Sequence, residues 1–309
     1  MKSSAQTSGN QIKVVFTNED VQKGVPIKEV PSKVNHKYKM EKELSAMKEL
    51  DQLVGLDKLK KLIYELYAFL MIRKLREEKG LINSPHMFHM IFKGNPGTGK
   101  TTVARIFGKL FKEMGMLEKG HLVEVERADL VGEYIGHTAA KTREIIRKAI
   151  GGVLFVDEAY SLIRGGEKDF GKECIDTLIK SLEDNRNQLI VILAGYNDEM
   201  DRFLASNPGL PSRFPINIEF EDYTIQELSD IADAMCKEQA YTLNPDAKFL
   251  LRRNIEKEIR EGNTLFSNAR YVRNLIEKAI RRQATRLLES PGLQDYSRDM
   301  LMELKGDDF

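Results

Sequence analysis

The amino-acid sequence predicts an α/β fold, in which helices cover both faces of a parallel sheet, followed by a smaller all-helical domain. Short apolar segments alternate with stretches of helical periodicity through the middle of the chain. This alternation is typical of strand–helix units that build a parallel sheet. After residue 222 the apolar segments of strand type stop and only helical periodicity follows, which indicates a second domain.

Five short apolar segments are predicted to be the strands of the sheet. They are 88–92, 121–125, 153–156, 189–193 and 216–220. Helices are predicted between them at 100–114, 138–149, 171–184 and 198–205, and in the second domain at 224–240, 245–261 and 268–289. The predicted organisation is a flexible leader over 1–38, an α/β domain over 39–222, a helical domain over 223–290 and a C-terminal tail over 291–309.

The overall composition argues against several classes of protein. The 48 Lys and Arg residues nearly balance the 47 Asp and Glu residues, whereas nucleic-acid-binding domains usually carry a basic excess. No apolar run approaches the ~20 residues of a membrane-spanning helix, and the N-terminus lacks the apolar core of a signal peptide. Cys174 and Cys236 are far apart in sequence, so we expect two buried thiols in a cytoplasmic protein.

A phosphate-binding loop follows the first predicted strand. Residues 94–101 match the G-x-x-x-x-G-K-[ST] pattern in the required strand–loop–helix context. Glycines allow backbone N–H groups to surround the β-phosphate, and the helix N-terminus favours the same anion. Lys100 is predicted to bind the β- and γ-phosphates, and Thr101 to ligate Mg²⁺. The residues predicted to bind the nucleotide in this segment are Asn95, Pro96, Gly97, Thr98, Gly99, Lys100, Thr101 and Thr102.

Two carboxylates complete the predicted hydrolytic site. The apolar strand 153–156 ends at Asp157 and Glu158, and ligands of open α/β sheets bind at the carboxyl ends of the strands. Asp157 is predicted to hold Mg²⁺ and Glu158 to act as general base towards water. The chain has no N-K-x-D guanine motif. A small-molecule kinase would normally lack this base, because its acceptor is not water. ATP hydrolysis is therefore the predicted reaction.

Polar side chains at the boundaries of three later predicted elements are candidates for sensing the nucleotide. Asn197 follows the strand 189–193 and is predicted to orient the attacking water, with Tyr196 as the alternative. Arg213 precedes the last strand and is predicted to neutralise phosphate charge from a neighbouring subunit, with a surface arginine that pairs locally as the alternative. Arg270 opens the last long helix and is predicted to contact the nucleotide, with Arg273 as the competing candidate.

Together these motifs resemble the AAA+ family and, within it, the CbbX/CfxQ branch, which includes red-type Rubisco activases. The similarity covers about residues 44–288. The stretches that carry it most specifically are 92–102, 126–138, 157–162, 165–172 and 207–214. The resemblance implies a five-stranded sheet domain with a helical lid, assembled as a hexameric ring that binds ATP between neighbouring subunits.

The resemblance also implies roles for individual residues. It identifies Asn197 as a first sensor, Arg213 as an arginine finger acting in trans and Arg270 as a second sensor. It implies that Val54 and Gly55 contact adenine, with local packing as the alternative. The implied pore loop is Tyr134, Ile135 and Gly136, with local packing of Tyr134 as the alternative. A second pore loop is implied at 164–170, with a merely flexible loop as the alternative.

The predicted function is that of an ATP-driven ring protein that threads or pulls a partner polypeptide, and the resemblance suggests a role in spore formation. Two alternatives remain at this stage. A nucleic-acid motor would use the basic side chains of the last long helix, which are Arg273, Lys278, Arg281, Arg282 and Arg286. A nucleotide-gated scaffold would bind ATP with little turnover, and its function would not depend on Glu158.

Overall fold

The computed structural model of the protein describes residues 44–82, 86–134, 136–165, 169–261, 266–289 and 296–309. The predicted leader, Ile135 and residues 166–168 of the expected second pore loop lie outside the described residues. In the described part, none of the helices combines the length and apolarity that crossing a membrane requires.

The centre of the larger domain is a five-stranded parallel sheet, as the sequence predicts, with the strand order β2-β3-β4-β1-β5. The strands are β1 (Met90–Gly94), β2 (Leu122–Val125), β3 (Val153–Val156), β4 (Ile190–Gly195) and β5 (Ile216–Phe220). The first strand lies between β4 and β5, where Met90 is opposite Ile192 on one side and Ile216 on the other. The segment after β1 therefore begins between the ends of two neighbouring strands.

Helices cover both faces of this sheet. They are α1 (Ser45–Gln52), α2 (Asp57–Glu78), α3 (Lys100–Glu113), α4 (Arg127–Leu130), α5 (His137–Ala149), a 3₁₀ helix (Ala159–Ile163), α6 (Gly171–Asp184), α7 (Asn197–Ala205) and α8 (Gly209–Arg213). Alternate strand residues point to opposite faces, so Met90 and Phe92 pack in the core beneath α1–α3, whereas Ile91 packs with the other helices. Burial on both faces explains why the strands are almost wholly apolar.

The second domain is built on three helices, α9 (Ile225–Glu238), α10 (Pro245–Arg260) and α11 (Asn268–Glu289). Sequence determines where two of them begin. The Thr224 side chain accepts a hydrogen bond from the Glu227 N–H group, and the Glu227 side chain returns to the Thr224 N–H group. Asn244 accepts from the Ala247 N–H group at the start of α10. Such caps satisfy N–H groups that a helix cannot pair internally.

The C-terminal segment differs from the predicted tail. Its described part forms α12 (Arg298–Met302) and a short strand, β7 (Glu303–Leu304), which pairs in parallel with β6 (Thr242–Leu243). Asp308 is buried and accepts two hydrogen bonds from Arg286 of α11, at 2.8 and 2.9 Å. Residues 296–309 thus pack as part of the helical domain. Two-residue strands are too short to show the alternation by which a strand is predicted from sequence.

Candidate nucleotide-binding site

A cavity of about 450 Å³ lies at the carboxyl ends of β1, β3 and β4, between the sheet domain and helices α9 and α11. Segments far apart in sequence line it. From the sheet domain these are Gln52, Leu53, Val54, Leu56, Pro96, Gly97, Gly99, Lys100, Thr101, Thr102, Asp157, Glu158, Tyr160, Gly195 and Tyr196; from the hinge and the helical domain they are Tyr223, Ile231, Ala234, Met235, Glu238, Ala269, Arg270 and Arg273. This edge of the sheet is where open α/β folds bind ligands.

The loop between β1 and α3 requires glycine at two places. Gly97 has φ +70°, and a Cβ atom there would lie 2.2 Å from the carbonyl oxygen of Ser267. Gly94 has φ +149°, and its Cβ would lie 2.4 Å from the carbonyl oxygen of Phe220. Both the backbone conformation and the close approach exclude larger residues. The loop delivers the chain to the N-terminus of α3, where unpaired N–H groups favour an anion.

Lys100 is held inside this loop. Its Nζ donates to the carbonyl oxygens of Gly94 and Asn95 at 2.8 and 2.7 Å. Burial lowers the pKa of Lys100 to about 8; the carboxylate of Asp157 opposes the shift and the charge of Arg270 adds to it. A phosphate group in the cavity would add negative charge next to the ammonium and so offset the effect of its burial. The site therefore fits a phosphorylated ligand.

Asp157 and Thr101 also line the cavity. The Thr101 hydroxyl lies 3.5 Å from a carboxylate oxygen of Glu124. Hydroxyl and carboxylate oxygens are ligands that Mg²⁺ accepts, commonly together with water and substrate phosphates. This donor set fits a magnesium ion that is bound together with a nucleotide.

Glu158 has a strained backbone next to Asp157. Its φ of +46° is left-handed, which costs a non-glycine residue about 1–3 kcal/mol. The Glu158 N–H group donates to Asp157 Oδ1 at 2.9 Å. The left-handed conformation of Glu158 directs the chain into the 3₁₀ helix that begins at the next residue. Tyr160 lies behind it, and burial together with the Glu158 carboxylate raises the pKa of the Tyr160 hydroxyl.

The side chains predicted to sense the nucleotide fall into two groups. Arg270 and Arg273 both line the cavity, as does Tyr196. Asn197 does not line it; as the first residue of α7, it directs its amide to Glu219 at 3.3 Å. Arg213 also lies away from the cavity of its own chain, where it forms an ion pair with Glu183 and donates to the Gly209 carbonyl at 3.2 Å.

Part of the cavity lining is apolar. Val54, Leu56, Ile231 and Met235 contribute apolar side chains to it. Gly55 does not line the cavity, and a Cβ atom on it would lie 2.2 Å from Glu227 Oε1 at the start of α9. Sequence reasoning identified Val54 but missed the side chains of α9. The apolar periodicity of α9 was visible in the sequence, but the face it turns to the cavity depends on how the two domains pack.

Tyr134 lies on the segment between α4 and α5. Its side chain is exposed (67%), and its ring packs edge-on against the ring of His137, with centroids 5.5 Å apart. Gly136 precedes α5 with φ +82° and open space around its Cβ position. The segment is anchored at its base, where the Thr138 hydroxyl accepts the Gly132 N–H group at 3.0 Å in a buried position.

Arg127 connects this segment to the residues that follow Glu158. Its guanidinium donates to the carbonyl oxygen of Ser161 in the 3₁₀ helix at 2.7 Å and to Asp169 at 2.5 Å. Asp169 also accepts the N–H groups of Gly165 and Gly171 at 2.8 and 3.1 Å. The hydrogen bond from Arg127 is the largest contribution that lowers the pKa of Asp169. One buried carboxylate thus holds both ends of the loop that contains residues 166–168.

The sequence profile of "ATPase family associated with various cellular activities (AAA)" matches residues 90–222, and that of the "AAA lid domain" matches residues 224–309. Stage V sporulation protein K of Bacillus subtilis (strain 168) is 54% identical over 263 residues, which are 85% of this chain and 81% of that protein. The chain belongs to the AAA family of ATPases. The resemblance stated from sequence and the predicted fold are both confirmed.

Other relatives place this AAA ATPase in the CbbX/CfxQ branch. Protein CfxQ of Xanthobacter flavus is 48% identical over 249 residues, or 80% of this chain and 78% of that protein. The chloroplastic ribulose bisphosphate carboxylase/oxygenase activase of Cyanidioschyzon merolae (strain NIES-3377 / 10D) is 44% identical over 257 residues, or 82% and 87%. The crystal structure of the FIGL-1 AAA domain has the same fold, with a TM-score of 0.57 at 15% identity over 84% of this chain and 80% of that chain.

Proposed function

We propose that this AAA ATPase assembles into a hexameric ring and uses ATP hydrolysis to pull a partner polypeptide through a central pore. The observation that supports it most is the connection from the hydrolytic strand to an exposed aromatic side chain. Glu158 leads into the 3₁₀ helix, Arg127 binds that helix, and Arg127 begins the helix that precedes Tyr134. A change at the γ-phosphate therefore has a short covalent and hydrogen-bonded route to Tyr134.

The proposed hydrolytic roles use residues that line one cavity. Lys100 binds the β- and γ-phosphates, and Thr101 and Asp157 hold the magnesium ion, which neutralises phosphate charge when bound. Glu158 accepts a proton from the water that attacks the γ-phosphorus, and ADP and phosphate are released. Arg270 contacts the phosphates from the lid. Tyr196 lines the cavity and is better placed than Asn197 to bind the attacking water.

Arg213 is proposed to act on the nucleotide of a neighbouring subunit. Its position favours a role in trans, because it lies outside the cavity of its own chain while its side chain remains partly exposed (23%). The short helix α8 and the Gly209 carbonyl hold it at the start of β5. The ion pair with Glu183 would have to open or rearrange when the guanidinium reaches a phosphate across an interface.

A protein client is favoured over nucleic acid. One relative in this branch is named as an activase of ribulose bisphosphate carboxylase/oxygenase, which is itself a protein. The basic side chains of α11 have other uses: Arg273 lines the cavity, Arg282 donates to the Phe309 carbonyl at 2.8 Å, and Arg286 pairs with Asp308. Two of the five residues that the nucleic-acid alternative relied on therefore have partners within the chain, and a third faces the nucleotide cavity.

A substrate trap tests the proposed function directly. Glu158→Gln should bind ATP but hydrolyse it slowly, so a client would remain bound. The variant is recovered from cells with ATP or with ADP, and the bound material is identified by mass spectrometry and nucleic-acid staining. Lys100→Ala, which should not bind ATP, is the matched control. A protein enriched only on Glu158→Gln with ATP supports the proposal; enrichment of nucleic acid, or of the ring alone, contradicts it.

The biological setting is proposed from the relatives and the thiols. The likeness to stage V sporulation protein K favours a role in spore formation. Cys174 and Cys236 are buried free thiols, as expected in a reducing compartment such as the cytoplasm. Deleting the coding sequence and counting heat-resistant spores tests the first point, and unchanged spore counts would contradict it.

A further inference from the structure

Asn268 lies at the junction between the lid and the sheet domain. It is the first residue of α11, is fully buried (0% exposed) and has a left-handed φ of +46°. Its Oδ1 accepts the Tyr223 N–H group at 2.9 Å, and its Nδ2 donates to Asp222 Oδ1 at 2.8 Å and to the Phe266 carbonyl at 3.1 Å. This asparagine therefore binds the hinge between the two domains, at Asp222 and Tyr223, as well as the segment that leads into its own helix.

Asp222 joins the same hinge to the phosphate loop. Its two carboxylate oxygens each lie 3.0 Å from Nδ2 of Asn95. One carboxylate therefore accepts from two amide groups, one on the phosphate loop and one on the lid. Asp222 also lies close enough to Lys100 for its negative charge to favour the protonated ammonium.

The backbone of the lid helix touches the phosphate loop directly. The Ala269 N–H group donates to the Gly97 carbonyl at 3.2 Å, and Asn268 Nδ2 lies 3.4 Å from the Pro96 carbonyl. A Cβ atom on Gly97 would lie 2.8 Å from the backbone nitrogen of Arg270. The phosphate loop and the first turn of α11 are thus in contact without an intervening side chain.

We propose that Asp222 and Asn268 are positioning residues that fix the register of α11 on the phosphate loop, so that Arg270 faces the nucleotide phosphates. This inference rests on the proposed role of Arg270. A slip of one residue along a helix rotates a side chain by about 100° and moves it by about 1.5 Å, which would turn Arg270 away from the phosphates. A residue that only capped its own helix would have no need of partners on the hinge and the phosphate loop.

Exchanging the two polar groups tests the pair. Asn268→Asp places two carboxylates together, and we expect ATP affinity and kcat each to fall about tenfold. The double variant Asp222→Asn/Asn268→Asp restores a donor opposite an acceptor and should recover part of both losses; recovery is incomplete because the Phe266 carbonyl loses its donor. Asn244→Asp, the same change at the cap of α10, is the matched control and should have no effect, since aspartate caps helices as well as asparagine does. Thermal melting of each variant measures folding separately.

A second cycle asks whether Asn268 acts through Arg270. If it does, Asn268→Ala/Arg270→Ala should hydrolyse ATP no more slowly than Arg270→Ala alone. Losses that multiply, or wild-type kinetics in Asn268→Asp, would overturn the proposal, and so would an Arg270→Ala variant with unchanged hydrolysis. These assays use no client, so their failure is distinguishable from failure of the pulling function, which client recovery tests.

Discussion

The nucleotide cavity and the Tyr134 segment are built in opposite ways. In the cavity and the adjoining phosphate loop, polar groups are held from several elements at once: two loop carbonyls bind Lys100, and two amides bind Asp222. Tyr134 extends into solvent above a buried anchor, and its described ring contact is with the nearby His137. A reacting site must hold its groups rigidly, whereas a side chain that grips varied partners benefits from exposure.

Arg127 shows how two such different regions can act together. It is bound at the base of both the Tyr134 segment and the loop that ends at Asp169, and it contacts the 3₁₀ helix after Glu158. Loss of a group that binds the phosphates or the attacking water should lower hydrolysis with or without a client, whereas changes in the exposed segment should mainly affect work done on a client. Three experiments test this difference.

The largest loss of ATP turnover is expected from a residue that lies outside the cavity of its own chain. Arg213 lies outside the cavity of its own chain, yet Arg213→Ala should lower ATP turnover by about 10³-fold, as loss of an arginine finger does elsewhere. Mixing Arg213→Ala with Lys100→Ala subunits should restore part of the activity, because some interfaces then join an intact cavity to an intact arginine. Glu183→Gln, which removes the ion-pair partner of Arg213 and leaves the arginine in place, is the control. A mixture as inactive as its components would show that Arg213 does not act in trans.

The second experiment measures how the affinity of the cavity for ATP depends on pH. Because the pKa of Lys100 is lowered to about 8, the empty site loses its ammonium above that pH, whereas bound phosphate favours the protonated form. ATP affinity should be constant below pH 8 and fall by up to about tenfold per pH unit above it. Lys100→Arg stays charged and should lack this dependence. Binding measured between pH 6.5 and 9.5 checks this, and a flat wild-type profile would contradict it.

The smallest expected effect on hydrolysis belongs to the exposed segment. Tyr134→Ala should change client-free ATP turnover by less than about threefold, because the exposed Tyr134 side chain has few packing contacts to lose. The same variant should lose the ability to move or remodel a trapped client, and Tyr134→Phe should retain it. Parallel ATPase and client-remodelling assays provide the two measurements. Remodelling by Tyr134→Ala at the wild-type rate would argue for local packing as the role of Tyr134.

The sequence was most informative where function depends on adjacent residues. The strand that ends just before Asp157 and Glu158, β3, was predicted with its observed bounds, and so was β5. Short apolar segments with polar ends mark buried strands clearly. The first strand was predicted two residues too early: Phe88 and His89 are buried but precede the ladder, which continues to Gly94 through its pairing with Phe220. Apolar character indicates burial and does not mark where hydrogen bonding begins.

By itself, the sequence determined the parallel sheet, the phosphate loop, the adjacent pair of acids and the family. Each of these was readable from short stretches of sequence: the two motifs from adjacent residues, the sheet from the alternation of apolar segments with helical periodicity, and the family from several such motifs. Only the tertiary structure decided that Tyr196 and not Asn197 lines the cavity, that the C-terminal segment packs into the lid, and that Asp222 joins Asn95 to Asn268. Asn95 and Asn268 are far apart in sequence, and only the packing of the lid on the sheet domain brings them to one carboxylate.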